Sequence, residues 1–197
     1  MVDLIIRLNI VVFISWIFID TDFMVDNFLV SSRSLSEGRI WTLVTSIFSH
    51  NMFFHLLLNM FVLYGFARIL EEILGPKNFF IFYLISGLMG SIGHCLTSSF
   101  LLNDPGLQAL GASGAISGVL VVFSLMFPMQ LVFLLGFLPL PAILATVLFI
   151  GSDVWGLIAQ SKGSRIPIGY GAHLGGALSG FIYYFLILKP IQYKRTE

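Results

Sequence analysis

The chain has 197 residues, of which 57% are hydrophobic and 10% charged, and its mean hydropathy is +0.96. A soluble domain carries about 25% charged residues, so this composition excludes a disordered chain, a nucleic-acid binder with a basic face and nearly every soluble globular enzyme. Ten Lys/Arg balance ten Asp/Glu, leaving no net field to recruit acidic partners. The single cysteine, Cys95, excludes an internal disulfide framework and a CxxC metal site.

These limits point to an all-α polytopic membrane protein in one domain, residues 1–197. A helical crossing takes about 20 apolar residues, so six crossings would use about 120 and leave short connections. The first apolar run, residues 4–20, carries Arg7 and Asn9 and ends at Asp20-Thr21-Asp22. Its basic residue lies inside the run and no small-x-small site follows, so it reads as a retained helix rather than a signal peptide. Residues 21–50 form the longest connection. Phe28-Leu29-Val30 and Ile40-Trp41-Thr42-Leu43-Val44 make it a loop lying in the interface, where tryptophan is favoured.

Five further spans follow at 51–70, 78–98, 112–127, 141–160 and 168–188. Gly75-Pro76-Lys77, Asn103-Asp104-Pro105-Gly106 and Lys162-Gly163-Ser164-Arg165 punctuate them. Segment 128–140 contains Pro128 and Pro139 and is followed by Pro141. It is too short and too broken to span, and reads as an interfacial connection. No internal repeat is visible, which weighs against a transporter built from inverted repeats.

With the N-terminus inside, the inner side receives Arg7, Arg68, Lys77, Lys189, Lys194 and Arg195. The outer side receives Arg33, Arg39, Lys162 and Arg165. The positive-inside rule therefore favours both termini inside, and Lys194 and Arg195 suit anionic headgroups. In that topology the second, fourth and sixth spans all enter from the outer face, and each carries polar residues near its start.

Polar groups at membrane depth mark a functional hypothesis. The second span has His50, His55 and Asn59, the fourth has Ser113 and the sixth has His173. Asn59 shares a helix face with His55, because i and i+4 align. Ser113 follows an irregular loop, in Gly111-Ala112-Ser113-Gly114, at the first turn of its helix. A serine hydroxyl becomes a nucleophile when a neighbouring base takes its proton, and histidine is the usual base. His173 lies in Gly171-Ala172-His173-Leu174-Gly175-Gly176. Gly114/Gly118, Gly171/Gly175 and Ala172/Gly176/Gly180 form small-xxx-small seams that let helix backbones approach closely. Free N–H groups at the helix start, with His55 and Asn59, could stabilise a developing oxyanion.

Taken singly, Ser113 reads as a small packing residue and His173 as a helix–helix contact. Ser117 and Ser179 read as packing residues, and His94 as an interfacial or packing histidine. Asp153, in the fifth span, reads as hydrogen-bonded within the bundle without a catalytic role.

Together, Gly111-x-Ser113-Gly114, Ala172-His173-x-x-Gly176-x-x-x-Gly180 and His50-x4-His55-x3-Asn59 resemble the rhomboid family of intramembrane serine proteases. The resemblance covers nearly the whole chain and implies a six-transmembrane-helix rhomboid-like bundle. It implies a Ser113 nucleophile and His173 general base/acid without a third acidic member, and an oxyanion site from His55, Asn59 and the Ser113 backbone N–H. It gives Glu71 a structural role at the inner end of the second span. Thr42 stands where the family often has an arginine after Trp41. The implied activity is hydrolysis of peptide bonds in or near transmembrane helices of protein substrates, without cofactor, metal or nucleic acid. The site would open to the outer face of a membrane, expected to be the cell membrane. Helix five and the loop 161–170 would be the gate.

Two other classes compete. A metal-dependent membrane hydrolase or transporter would use His50, His55 and His173, but no HExxH exists and no carboxylate shares the His55–Asn59 face. A non-catalytic rhomboid-like helix binder would be expected to lack Ser113 or His173. An aspartyl protease is disfavoured, because Asp153 is the one carboxylate well inside a span and a dyad needs two.

Overall fold

The computed structural model describes residues 1–134, 138–164 and 166–190. Arg165, Lys194 and Arg195, counted above among the loop and tail cations, lie outside the described residues. The long helices are α1 (Val2–Phe18), α5 (Phe53–Leu74), α6 (Pro76–Phe100), α7 (Ser113–Met126), α8 (Ala142–Ser161) and α9 (Tyr170–Tyr183), which one π turn extends to Leu188. Between α1 and α5 lie α2 (Thr21–Phe28), α3 (Ser32–Ser36) and α4 (Thr42–Thr45).

Among the described residues, four helical stretches are long and apolar enough to cross a membrane: Phe53–Leu74, Pro76–Phe100, Ala142–Ser161 and Tyr170–Leu188. The breaks between them follow local chemistry. Gly75 ends α5 with φ 77°, and Pro76 begins α6 at a first-turn position where its missing N–H removes no bond. Helix α7 has only 14 residues, about 21 Å at 1.5 Å per residue, and is buried along most of its length. It is the central helix of the bundle.

Glycine seams hold this centre together. A Cβ built on Gly176 would stand 1.8 Å from the Gly114 carbonyl oxygen, and one on Gly180 would stand 2.5 Å from that of Gly118. That face of α9 meets α7. The face carrying Gly171 and Gly175 meets α6 instead, where Cβ atoms would stand 1.9 Å from Thr97 Oγ1 and 2.3 Å from the Met89 carbonyl. At the opposite end of α5, Glu71 accepts a hydrogen bond from the Val2 N–H at 3.1 Å, joining α5 to the start of α1.

Two expectations are corrected. Segment 128–140, with Pro141 after it, contributes two antiparallel strands, β1 (Leu131–Leu134) and β2 (Leu138–Pro141), so the chain is mostly rather than wholly helical. Pro139 and Pro141 cannot donate to a helix, but a two-stranded ribbon has only edges and tolerates them. The long connection 21–50 is also ordered into short helices. Asp20 caps α2 by accepting from the Phe23 N–H, and Ser31 and Ser34 form a reciprocal cap on α3. Where the family often has an arginine, Thr42 turns inward and donates to the Arg39 carbonyl at 2.7 Å. Arg39 itself pairs with Asp26 and Glu37, and Trp41 Nε1 donates to Asn27. Ile40 and Trp41 remain exposed on this connection.

Candidate active site

The loop before Ser113 is clamped on several sides. Val30 and Ala109 exchange two backbone hydrogen bonds of 2.9 Å, and the Arg33 N–H donates to the Pro105 carbonyl. His94 Nε2 meets the Leu107 carbonyl at 2.9 Å, so His94 holds this loop, in keeping with a packing role. Gly111 takes φ 120° and donates to the Ser46 carbonyl. A Cβ at 111 would stand 2.7 Å from Cε1 of His55, so glycine is required both by the backbone and by the ring above it.

From this clamped turn the chain enters α7 at Ser113. First-turn N–H groups have no intrahelical acceptor, so the Ser113 and Gly114 amides are available at the point where the hydroxyl sits. His173, in the first turn of α9, places Nε2 2.9 Å from Ser113 Oγ. Both side chains are partly buried, within a bundle where the Gly114–Gly176 contact sets the helix separation. The other imidazole nitrogen, Nδ1, lies 3.0 Å from Asp153 Oδ1 on α8.

His55 and Asn59 project from the first turns of α5. The His55 ring covers Gly111, and Asn59 Nδ2 donates one hydrogen to the His55 carbonyl at 2.8 Å. The second amide hydrogen of Asn59 is not used by that bond. His50 is fully buried before α5, its ring edge-on to His55 with centroids 4.8 Å apart. Burial, with His55 beside it, lowers the His50 pKa to about 3. It is therefore a neutral ring, and its Nε2 lies 3.5 Å from the Ala112 N–H.

Of the residues singled out in the sequence, Ser113 and His173 are brought to hydrogen-bonding distance, His55 borders the same loop, and Asn59 sits one turn deeper. His50 stands behind them rather than among them. Asp153, read in the sequence as hydrogen-bonded within the bundle without a catalytic role, makes that hydrogen bond to His173 itself, at 3.0 Å. Its signal was present as a carboxylate inside an apolar span, without any spacing that tied it to His173. The arrangement has the parts for proton transfer from a serine hydroxyl to an imidazole, next to unpaired amide donors.

The Rhomboid domain family model matches residues 37–190. The chain is 31% identical over 190 residues to RHOMBOID-like protein 12, mitochondrial, of Arabidopsis thaliana, covering 90% of this chain and 55% of that protein. It is 36% identical over 166 residues to Rhomboid protein 1, mitochondrial, of Saccharomyces cerevisiae, covering 79% and 44%. With the human Presenilin-associated rhomboid-like protein, mitochondrial, it shares 31% identity over 161 residues, covering 78% and 39%. The chain thus spans about half the length, or less, of these curated relatives. The match of the family model to most of the chain, from the ordered loop before α5 to the end of α9, shows that this protein belongs to the rhomboid family.

Proposed function

We propose that this chain is a serine endopeptidase that hydrolyses peptide bonds in or near transmembrane helices. The observation that carries this reading is the 2.9 Å contact between Ser113 Oγ and His173 Nε2 at the start of the central helix. His173 takes the Ser113 proton as Oγ attacks the substrate carbonyl, then delivers it to the leaving amine. Water hydrolyses the acyl-enzyme with the same imidazole as base. The negative charge on the carbonyl oxygen is met by the Ser113 N–H, by the free Asn59 hydrogen and by His55.

The proposed topology has six spans, with α1 and the short α7 completing the four long stretches. Both termini are inside, and the Ser113 end of the bundle faces outward. Three relatives are mitochondrial by name, which supports an organelle membrane over the cell membrane as the location. Fractionation of cells expressing the tagged chain decides between them.

The test of the activity is labelling by a serine-directed phosphonate in detergent. Ser113 is expected to be modified, with labelling lost in Ser113→Ala and His173→Ala and unaffected by chelators. Chelator-sensitive hydrolysis that survives Ser113→Ala would favour the metal-dependent alternative. No labelling and no hydrolysis in the folded wild type would favour a non-catalytic helix binder.

A further inference from the structure

Asp153 is a buried carboxylate, 3% exposed, in the middle of an apolar helix. Its Oδ1 meets His173 Nδ1 at 3.0 Å, and its Oδ2 has no protein partner among the described residues. Taking a carboxylate out of water is expensive, and one hydrogen bond offsets it poorly. An apolar side chain would pack α8 against α9 without that cost, so packing alone does not account for it.

The surroundings are built around the same imidazole. Phe149, Asp153 and Gly156 recur at i, i+4 and i+7 and therefore share one face of α8. Phe149 lies against the His173 ring, centroids 5.5 Å apart, while Asp153 meets its edge. Gly156 receives the Tyr170 ring, one turn before His173, where a Cβ would stand 2.2 Å from Tyr170 Cζ. This glycine lets α8 approach α9 closely enough for the carboxylate to reach.

We propose that Asp153 is a positioning residue for His173, so that the dyad operates as a Ser–His–Asp arrangement whose acidic member comes from α8. A carboxylate only accepts, so Nδ1 carries the ring proton and Nε2 turns its lone pair to the Ser113 hydroxyl. When Oγ attacks, its proton moves to Nε2 and then to the leaving amine. The Nδ1 proton stays on the ring, and Asp153 stabilises the transient imidazolium without taking that proton. This inference rests on the serine-protease reading and deepens it.

The experiment combines phosphonate labelling and peptide-bond hydrolysis with nitrogen-15 spectra of the full-length, histidine-labelled chain in detergent. Asp153→Ala and Asp153→Asn are expected to lower the labelling rate and kcat on the order of 10²-fold or more, with KM little changed. Asp153→Glu should recover part of the loss. In the wild type, the His173 signal, assigned by its absence in His173→Gln, should report a proton on Nδ1 and none on Nε2. In Asp153→Ala it should report a mixture. The wild-type tautomer keeps the test decisive even where a variant does not fold, because a proton on Nε2 in the wild type overturns the inference. Wild-type labelling rates in folded Asp153 variants overturn it too, while leaving Ser113 and His173 standing as a dyad. Failure of the wild type to label at Ser113 removes the protease reading and this inference with it.

Discussion

The backbone of Gly176 in α9 lies directly against the carbonyl of Gly114 in α7, so close that a Cβ at 176 would stand 1.8 Å from that oxygen. Gly114 follows Ser113 in the chain, and Gly176 is one turn beyond His173. The contact that seals the two helices therefore also sets the separation of the two side chains. Gly176→Ala should push α9 outward, at a cost of about 1–3 kcal/mol from overpacking. A displacement of about 1 Å can lower a catalysed rate about 10²-fold, so phosphonate labelling should fall more steeply than Tm. Gly65→Ala, where a Cβ meets nothing within 4 Å, should leave labelling unchanged. Wild-type Tm and labelling in Gly176→Ala would contradict the close seam.

Gly111 combines a positive φ of 120° with a ring lying on it. Gly111→Ala is expected to displace the His55 ring and turn the amides ahead of α7, lowering turnover together with stability. Gly38 also has a positive φ, 86°, but a Cβ there meets nothing within 4 Å. Gly38→Ala should therefore lose stability and keep activity per folded molecule. Equal specific activities in the two variants would show that the clash at His55 has no bearing on the site.

Asn59→Ala tests the oxyanion assignment. Removing one donor of this kind costs about 10²–10³-fold in kcat. Hydrolysis should thus collapse, while labelling, which reports the nucleophile, is partly spared. Equal loss of both, accompanied by a lower Tm, would make Asn59 a structural residue through its bond to the His55 carbonyl.

His50 predicts an acid-sensitive fold. Its pKa, about 3 in the folded chain, lies below the ordinary 6.5 because the ring is buried beside His55. The unfolded state consequently binds a proton that the folded state refuses. The stability associated with neutral His50 is fully present above about pH 6.5 and declines as pH falls from there toward 3, by up to about 1.4 kcal/mol per unit. Tm measured from pH 7.5 to 4.5 should fall more steeply in the wild type than in His50→Gln. Parallel curves would show that His50 titrates normally.

Much of the architecture was legible along the chain. Gly75-Pro76 ends one helix and starts the next because each residue permits only that local geometry, and the 10% charge fraction leaves the bilayer as the only adequate solvent. The seams were visible as spacing, since glycines three and four apart share a helix face. Their partners were not. Nothing in Gly171-Ala172-His173-Leu174-Gly175-Gly176 says that Gly171 faces α6 while Gly176 faces α7, because a face is a local property and a neighbour is not. The pairing of Leu131–Leu134 with Leu138–Pro141 was missed for a related reason: prolines announce where a helix fails, without stating what replaces it.

By itself, then, the sequence determined the solvent, the approximate bounds of the long helices, the small-residue faces and the pairing of residue types suited to proton transfer. These are short-range matters of period, backbone freedom and hydration. Only the tertiary structure decided that Ser113 and His173 meet at 2.9 Å, and that Asp153, twenty residues from His173 on another helix, reaches its far nitrogen. Those distances depend on how closely three helices pack, which the bulk of every side chain between them sets jointly.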